Sequence, residues 1–378
     1  MRAQIKLVRL FGVDLGLHYS WIIIAVLIVF SLGDHFHIIH PEWTSGLVWG
    51  ISIITGVLFF VFLFAHELSH ALVAKARGLP IHKITLFALG GMAQIEKEPT
   101  QASTEFWMGI IGPITSFVIG AALLGIAFAG GWNWRSDPGT PGLAVLVWLG
   151  YINIALGAFN MIPGFPLDGG RVLRAIIWGI TKSADGSTRI AARIGQLVGI
   201  GFILYGIFEF FQQQAFGGLW LAFIGWFLMN AAGASYMQLK ASNALEGVSV
   251  GQVMSQECQP VAAHMSLQDF VDHFLLRTGR RCFIVADNGR PLGLITPAEV
   301  RQVPRDDWNV TSVQAAMKPL ERIHSVTPEM PVMNAMEIMA REDVNQLPVV
   351  SEGHLAGILS RAHVLELLRA KSELGQNR

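Results

Sequence analysis

The sequence predicts a polytopic α-helical membrane protein, with six transmembrane helices and a short membrane-associated β-hairpin, followed by a water-soluble α/β tail. Three observations carry that expectation. Hydrophobic residues make up 52% of the chain and charged residues only 14%, with a mean hydropathy of +0.47, a balance outside the soluble globular range. The charge is uneven: 25 of the 54 Asp, Glu, Lys and Arg residues fall in the first 240 positions and 29 in the last 138. A repeat with a period of about 64 residues runs through that charged end. The chain therefore divides into two domains, 1–240 in lipid and 241–378 in water. Zero formal net charge offers no electrostatic footprint for nucleic acid. The two cysteines, Cys258 and Cys282, both lie in the tail; they make no disulfide framework and suit a reducing compartment.

Residues 1–9 are basic and precede an apolar run from Tyr19 to Leu32. No small-residue cleavage site comes after it, so this reads as an uncleaved first span. The second span, about 46–76, is roughly 45 Å long at 1.5 Å per residue, enough to cross a bilayer. Its phenylalanine-rich run ends in His66-Glu67-Leu-Ser-His70. Residues four apart share a helix face, so His66 and His70 can present imidazoles to one metal ion with Glu67 close by. Ionisable groups in hydrocarbon are costly and mark function by default. Zinc fits: it takes neutral imidazole and carboxylate, and with three protein ligands it leaves a position for water, whose pKa falls toward ~7. One Zn²⁺ per chain is expected, with Glu67 taking that water's proton.

After Gly78-Leu-Pro80, the segment 81–95 is rich in β-branched residues around Gly90-Gly91 and reads as a hairpin with its turn there. Spans resume at about 106–128 and 143–162. The fourth breaks into Asn160-Met-Ile-Pro-Gly-Phe-Pro-Leu-Asp-Gly-Gly170, whose prolines and glycines cannot continue a regular helix. Such backbone at membrane depth is tolerated only where protein or a watery cavity satisfies it. Spans at about 190–211 and 219–237 complete six. Lys and Arg cluster at the N-terminus, after span two and after span four, while the intervening loops hold only Arg135. That alternation puts both termini in the cytoplasm of a multi-pass cell-membrane protein. Lys75 lies nine residues beyond His66, which sets the motif ~13 Å inside the cytoplasmic boundary.

In the tail, Val253-Met-Ser255, Phe283–Gly289 and Gly293–Val300 recur as Ala316-Met-Lys318, Pro348–Gly353 and Gly357–Val364. Each copy, at about 248–305 and 310–370, reads as a helix, a hairpin around Asn288-Gly289 or Glu352-Gly353, and a closing helix.

His66-Glu67-Leu-Ser-His70 on an early span, a Gly90-Gly91 hairpin, Gly112-Pro113 on the next span, and Asn160-x-x-Pro163 before Leu167-Asp168-Gly169 together resemble the site-2 protease family of intramembrane zinc metalloproteases. The tail resembles a tandem pair of CBS domains. The likeness implies that Asp168 is the third zinc ligand, carried by the broken fourth span, that Asn160 helps to bind substrate or the oxyanion, and that the Gly90-Gly91 hairpin pairs with an unwound substrate strand. The residues themselves leave alternatives open. Asp168 suits a His₂-carboxylate zinc site or a turn ahead of Gly169-Gly170. Asn160 suits interhelical hydrogen bonding as well as catalysis, and the glycine pair suits a plain turn. His35, His37 and His40 in the first outer loop suit solvated positions better than a second metal site. Trp43, Trp49, Trp132 and Trp134 look like interface anchors.

The resemblance implies endopeptidase action on transmembrane segments of single-span membrane proteins, releasing cytosolic regulators. CBS pairs often bind ATP or AMP, with a ribose acceptor Asp three residues after Thr or Ser. This chain instead has Thr296 with Glu299 and Ser360 with His363, so nucleotide binding stands against a structural or homodimerising role. A CBS-regulated ion or metal transporter is the rival reading.

Overall fold

Among the described residues, six helices are long and apolar enough to cross a membrane. In chain order the helices are α1 (Ser20–Ile39), α2 (Ser45–Ala76), α3 (Ala102–Ala129), α4 (Pro141–Asn160), the shorter α5 (Asp168–Thr181), α6 (Ala184–Gln213) and α7 (Phe216–Leu245). All but α5 are spans. The computed structural model describes residues 5–79, 81–87, 90–95, 99–213, 216–255, 260–278, 283–287, 290–319, 323–342, 344–351 and 354–373. It divides into two units, Met1–Met237 and Gln238–Arg378. Outward faces of the spans carry exposed Ile, Leu, Val and Phe, as a lipid-facing surface requires.

Two expectations about the first unit need correction. The basic N-terminus forms β1 (Ile5–Leu10) and β2 (Val13–Leu17), an antiparallel pair turning at Phe11 and Gly12, both at positive φ. β2 runs parallel to β3 (Ile81–Phe87), which pairs antiparallel with β4 (Gly90–Ile95), so the sheet orders β1-β2-β3-β4. The expected hairpin is thus one side of a larger sheet. The β1-β2 turn is hard to see in the sequence because Phe-Gly is a poor turn signal beside Asn-Gly or Asp-Gly, and every β1 residue is exposed, leaving no buried face to read. Gly90 and Gly91 are not the turn: they open β4, opposite Phe87 and Leu86, and residues 88–89 lie outside the described residues. Val13, Leu15, Ile81 and Ile84 pack on Ala71 and Ala74 of α2 and Met108 of α3, which seats the sheet beside the C-terminal half of α2.

The other correction concerns the fourth span. α4 stops at Asn160, residues 161–167 form turns, and Asp168 is the first residue of α5, a separate amphipathic helix. The prolines end the span completely rather than kinking it. The turn is held tightly: a Cβ on Gly170 would lie 2.3 Å from the carbonyl carbon of Gly164, a close approach that admits no side chain. Trp132, expected at the interface, is 7% exposed and packs on Ala127 and Val147.

The tail repeats exchange their leading segments. β5 (Pro260–Ala262), β6 (Phe283–Asp287), β7 (Arg290–Ile295) and β8 (Lys318–Pro319) form one sheet, and β9 (Gln346–Ser351) with β10 (His354–Ser360) the other. Val250, ahead of the first repeat, is buried in the core of the second with Val332, Leu347 and Leu359. Val313, ahead of the second, is buried in the core of the first with Phe270, Phe283 and Ile295. The expected hairpins are present as β6-β7 and β9-β10. Their turns, Asn288-Gly289 and Glu352-Gly353, lie outside the described residues, as do Cys258 and Cys282.

Candidate metal centre

His66 and His70 sit on consecutive turns of one face of α2, and both are buried (2% and 7% exposed). Each ring is fixed from behind by α3. His66 Nδ1 meets Ser116 Oγ at 2.8 Å, and His70 Nδ1 donates to the Met108 carbonyl. A carbonyl accepts only, so His70 carries its hydrogen on Nδ1 and presents a lone pair at Nε2. Both Nε2 atoms point to one spot, 3.2 Å apart. Asp168 Oδ2 arrives from α5 and lies 3.2 Å from each. Asp168 is outside the spans.

With its hydrogen on Nδ1, as in His70, the His66 ring makes Nε2 a third acceptor, and three acceptors in a triangle of 3.2 Å sides repel one another unless a positive charge lies between them. Ligands about 2.0–2.1 Å from a tetrahedral zinc ion are spaced about 3.3–3.4 Å apart, so the triangle fits zinc with a shift of a few tenths of an ångström. Among the described residues this is the one group of three or more His, Cys, Asp or Glu with ligand atoms so close together. Behind it, α3 leaves no room to spare: a Cβ on Gly112 would fall 2.1 Å from His70 Nε2 and 2.7 Å from His66 Nε2. Glu67, adjacent to His66, is half-buried and its carboxylate makes no hydrogen bond or ion pair among the described residues.

The sequence matches the Peptidase family M50 over residues 54–136 and 140–205, and the CBS domain over 250–306 and 313–370. The relative sll0528 of Synechocystis sp., assigned as a zinc metalloprotease, is 30% identical over 98% of this chain and 97% of its own. The family is decided by that match along nearly the whole of both chains. The chain belongs to peptidase family M50. The zinc metalloprotease MJ0392 of Methanocaldococcus jannaschii is 29% identical over 99% of each chain. A solved site-2 protease from the same organism is 31% identical, covering 61% of this chain and 94% of that one, at a TM-score of 0.43.

This M50 peptidase is therefore a multi-pass membrane zinc metalloprotease of the site-2 type with a tandem CBS pair, and the transporter reading falls away. The structure brings His66, His70 and Asp168 together. Asn160 ends α4, half-buried and without a side-chain hydrogen bond among the described residues. Gly90 and Gly91 begin β4, the last strand of its sheet, which lies against α2. His40 is taken up by Glu42, at 3.0 Å, and by stacking on Trp43. In the CBS pair, Thr296 and Glu299 form a capping box: the Thr296 N–H and hydroxyl both donate to Glu299 Oε2. Ser360 is 6% exposed and its Oγ accepts from the His363 N–H. Gly112 belongs to the motif set seen in the sequence, whereas Glu105, Met108 and Ser116 are not singled out there, although small and polar residues recurring at three- and four-residue steps in an apolar helix are the mark of a packed interface.

Proposed function

We propose that this M50 peptidase hydrolyses peptide bonds within the membrane, in transmembrane segments of single-span proteins, with His66, His70 and Asp168 as the ligands of one zinc ion. The convergence of His66 Nε2, His70 Nε2 and Asp168 Oδ2 at 3.2 Å, among helices suited to lipid, carries the reading. When bound, zinc supplies a Lewis acid for the scissile carbonyl and a water of lowered pKa. Glu67, beside His66, takes the proton from the attacking water and passes it to the leaving amine. The Asn160 side chain donates to the oxyanion that develops on the carbonyl. A helical substrate hides its amides, so it unwinds locally, and its strand adds to the open edge of β4 at Gly90 and Gly91. Both termini face the cytoplasm, as the Lys and Arg placement dictates.

The test is reconstitution in liposomes with a fluorescent single-span substrate. Wild-type protein should cleave it, a chelator should stop cleavage and zinc should restore it. Glu67→Gln should keep zinc and lose turnover; full activity in that variant would sink the assignment. ATP or AMP acting through the CBS pair is tested on the same vesicles, by calorimetry and by cleavage rate. No heat at millimolar nucleotide assigns the pair a structural or dimerising role.

A further inference from the structure

Glu105 on α3 and Arg174 on α5 form an ion pair, Arg174 Nη1 to Glu105 Oε1 at 3.3 Å. Both residues are buried, at 2% and 9% exposure. Taking two charges out of water is expensive, and apolar side chains of similar volume hold helices together as well or better. The pair must then be understood by what a directional contact does and apolar packing does not. Arg174 lies six residues beyond Asp168, so their side chains leave α5 about 120° apart. One meets the imidazoles of α2, the other meets α3. At Gly109 the seat of α5 on α3 is smooth: a Cβ there would lie 3.0 Å from Arg171 Cβ and 3.1 Å from both the Asp168 carbonyl oxygen and Val172 Cγ2. Bare backbone of this kind resists separation but resists rotation weakly. Arg174 is steadied in turn by Trp178, whose ring lies 5.7 Å from its guanidinium carbon.

α3 is also the helix that orients both histidines, through Ser116 and Met108. Glu105 stands one turn before Met108, on the same buried face. Ligands on two different helices are thus referred to one helix, the imidazoles by hydrogen bonds and the carboxylate by an ion pair. We infer that Glu105 and Arg174 are positioning residues for Asp168, setting the rotation of α5 so that its Oδ2 reaches both Nε2 atoms. The inference rests on the zinc role proposed for Asp168, and neither residue touches the reacting atoms.

The experiment uses full-length protein in detergent and compares wild type with E105L/R174M, the charge reversal E105R/R174E, and R174K. Zinc affinity is measured by competition with a chelator, the site is read by visible absorption of the Co²⁺-substituted protein, and folding by the melting of the apo-protein. E105L/R174M should melt at or above wild type, yet bind zinc about 10–100-fold more weakly, the range for loss of a group that orients a ligand, with altered Co²⁺ bands. E105R/R174E should recover most of that affinity. Wild-type zinc affinity and Co²⁺ bands in E105L/R174M would overturn the inference. Should that variant not fold, R174K, which keeps the charge and loses the planar fork, decides on the same readings: weaker zinc binding supports the inference and unchanged binding overturns it. Absence of zinc from wild type would instead overturn the metal reading itself.

Discussion

Gly112→Ala isolates the geometry of the centre from its chemistry. It adds one methyl group to α3, away from every ligand atom in sequence, and puts it 2.1 Å from His70 Nε2, 2.5 Å from His70 Cε1 and 2.7 Å from His66 Nε2. Ordinary contact begins near 3.4 Å, so His70 must move by about 1.3 Å, several times the roughly ±0.2 Å window that a zinc ligand tolerates. Displacement on that scale costs on the order of 10²-fold in catalysis. The helix itself gains, because Ala is favoured over Gly in a helix interior by about 0.8–1.0 kcal/mol. Lost function with retained or increased helix stability is therefore the signature. Gly125 on the same helix has nothing within 4 Å of its added Cβ, which makes Gly125→Ala the matched control. Elemental analysis after dialysis against a chelator, with cleavage of the single-span substrate, reads both variants. Gly112→Ala should lose most of its zinc and about 100-fold or more in rate, while Gly125→Ala should match wild type. One zinc per chain and normal cleavage in Gly112→Ala would refute the packing argument.

Asp168→Ala should lower zinc content by elemental analysis while the fold persists, because Asp168 is the first residue of α5 and belongs to none of the apolar clusters of its unit; stoichiometric zinc in that variant would remove it from the ligand set. Ser116→Ala deletes the partner of His66 Nδ1 at 2.8 Å and should weaken zinc binding about 10–100-fold, read by chelator competition against wild type. Val250→Ala should destabilise the second CBS repeat, in whose core Val250 is wholly buried, by about 2 kcal/mol for two lost methylene equivalents and the cavity left behind. Hydrogen exchange should speed up at Leu347, Val349 and Leu359 before it does at Phe283 and Val285; the reverse order would contradict the exchanged segments.

Much of this site is legible in residue order because its chemistry is local. His66, Glu67 and His70 lie within five positions on one helix, where a fixed 3.6-residue period converts spacing into geometry. Asp168 stands out because a carboxylate beside prolines and glycines is out of place in an apolar run. The helix that carries it does not stand out, since prolines mark where a span breaks but not how the chain folds beyond the break. The partners that lock the rings are hidden for a different reason. Met108 contributes a backbone carbonyl, which any residue has, and Gly112 contributes the absence of a side chain, so neither has a chemical signature. The β2-β3 pairing joins strands more than sixty residues apart, and parallel pairing leaves no turn signal in the sequence between. The tail shows the same division: its period reveals the two repeats, but the exchange of Val250 and Val313 between cores depends on which copy each segment folds against. The two cores differ in their side chains, Val332, Leu347 and Leu359 in one and Phe270, Phe283 and Ile295 in the other, but a repeat period records only that two copies exist, not which segment each core receives.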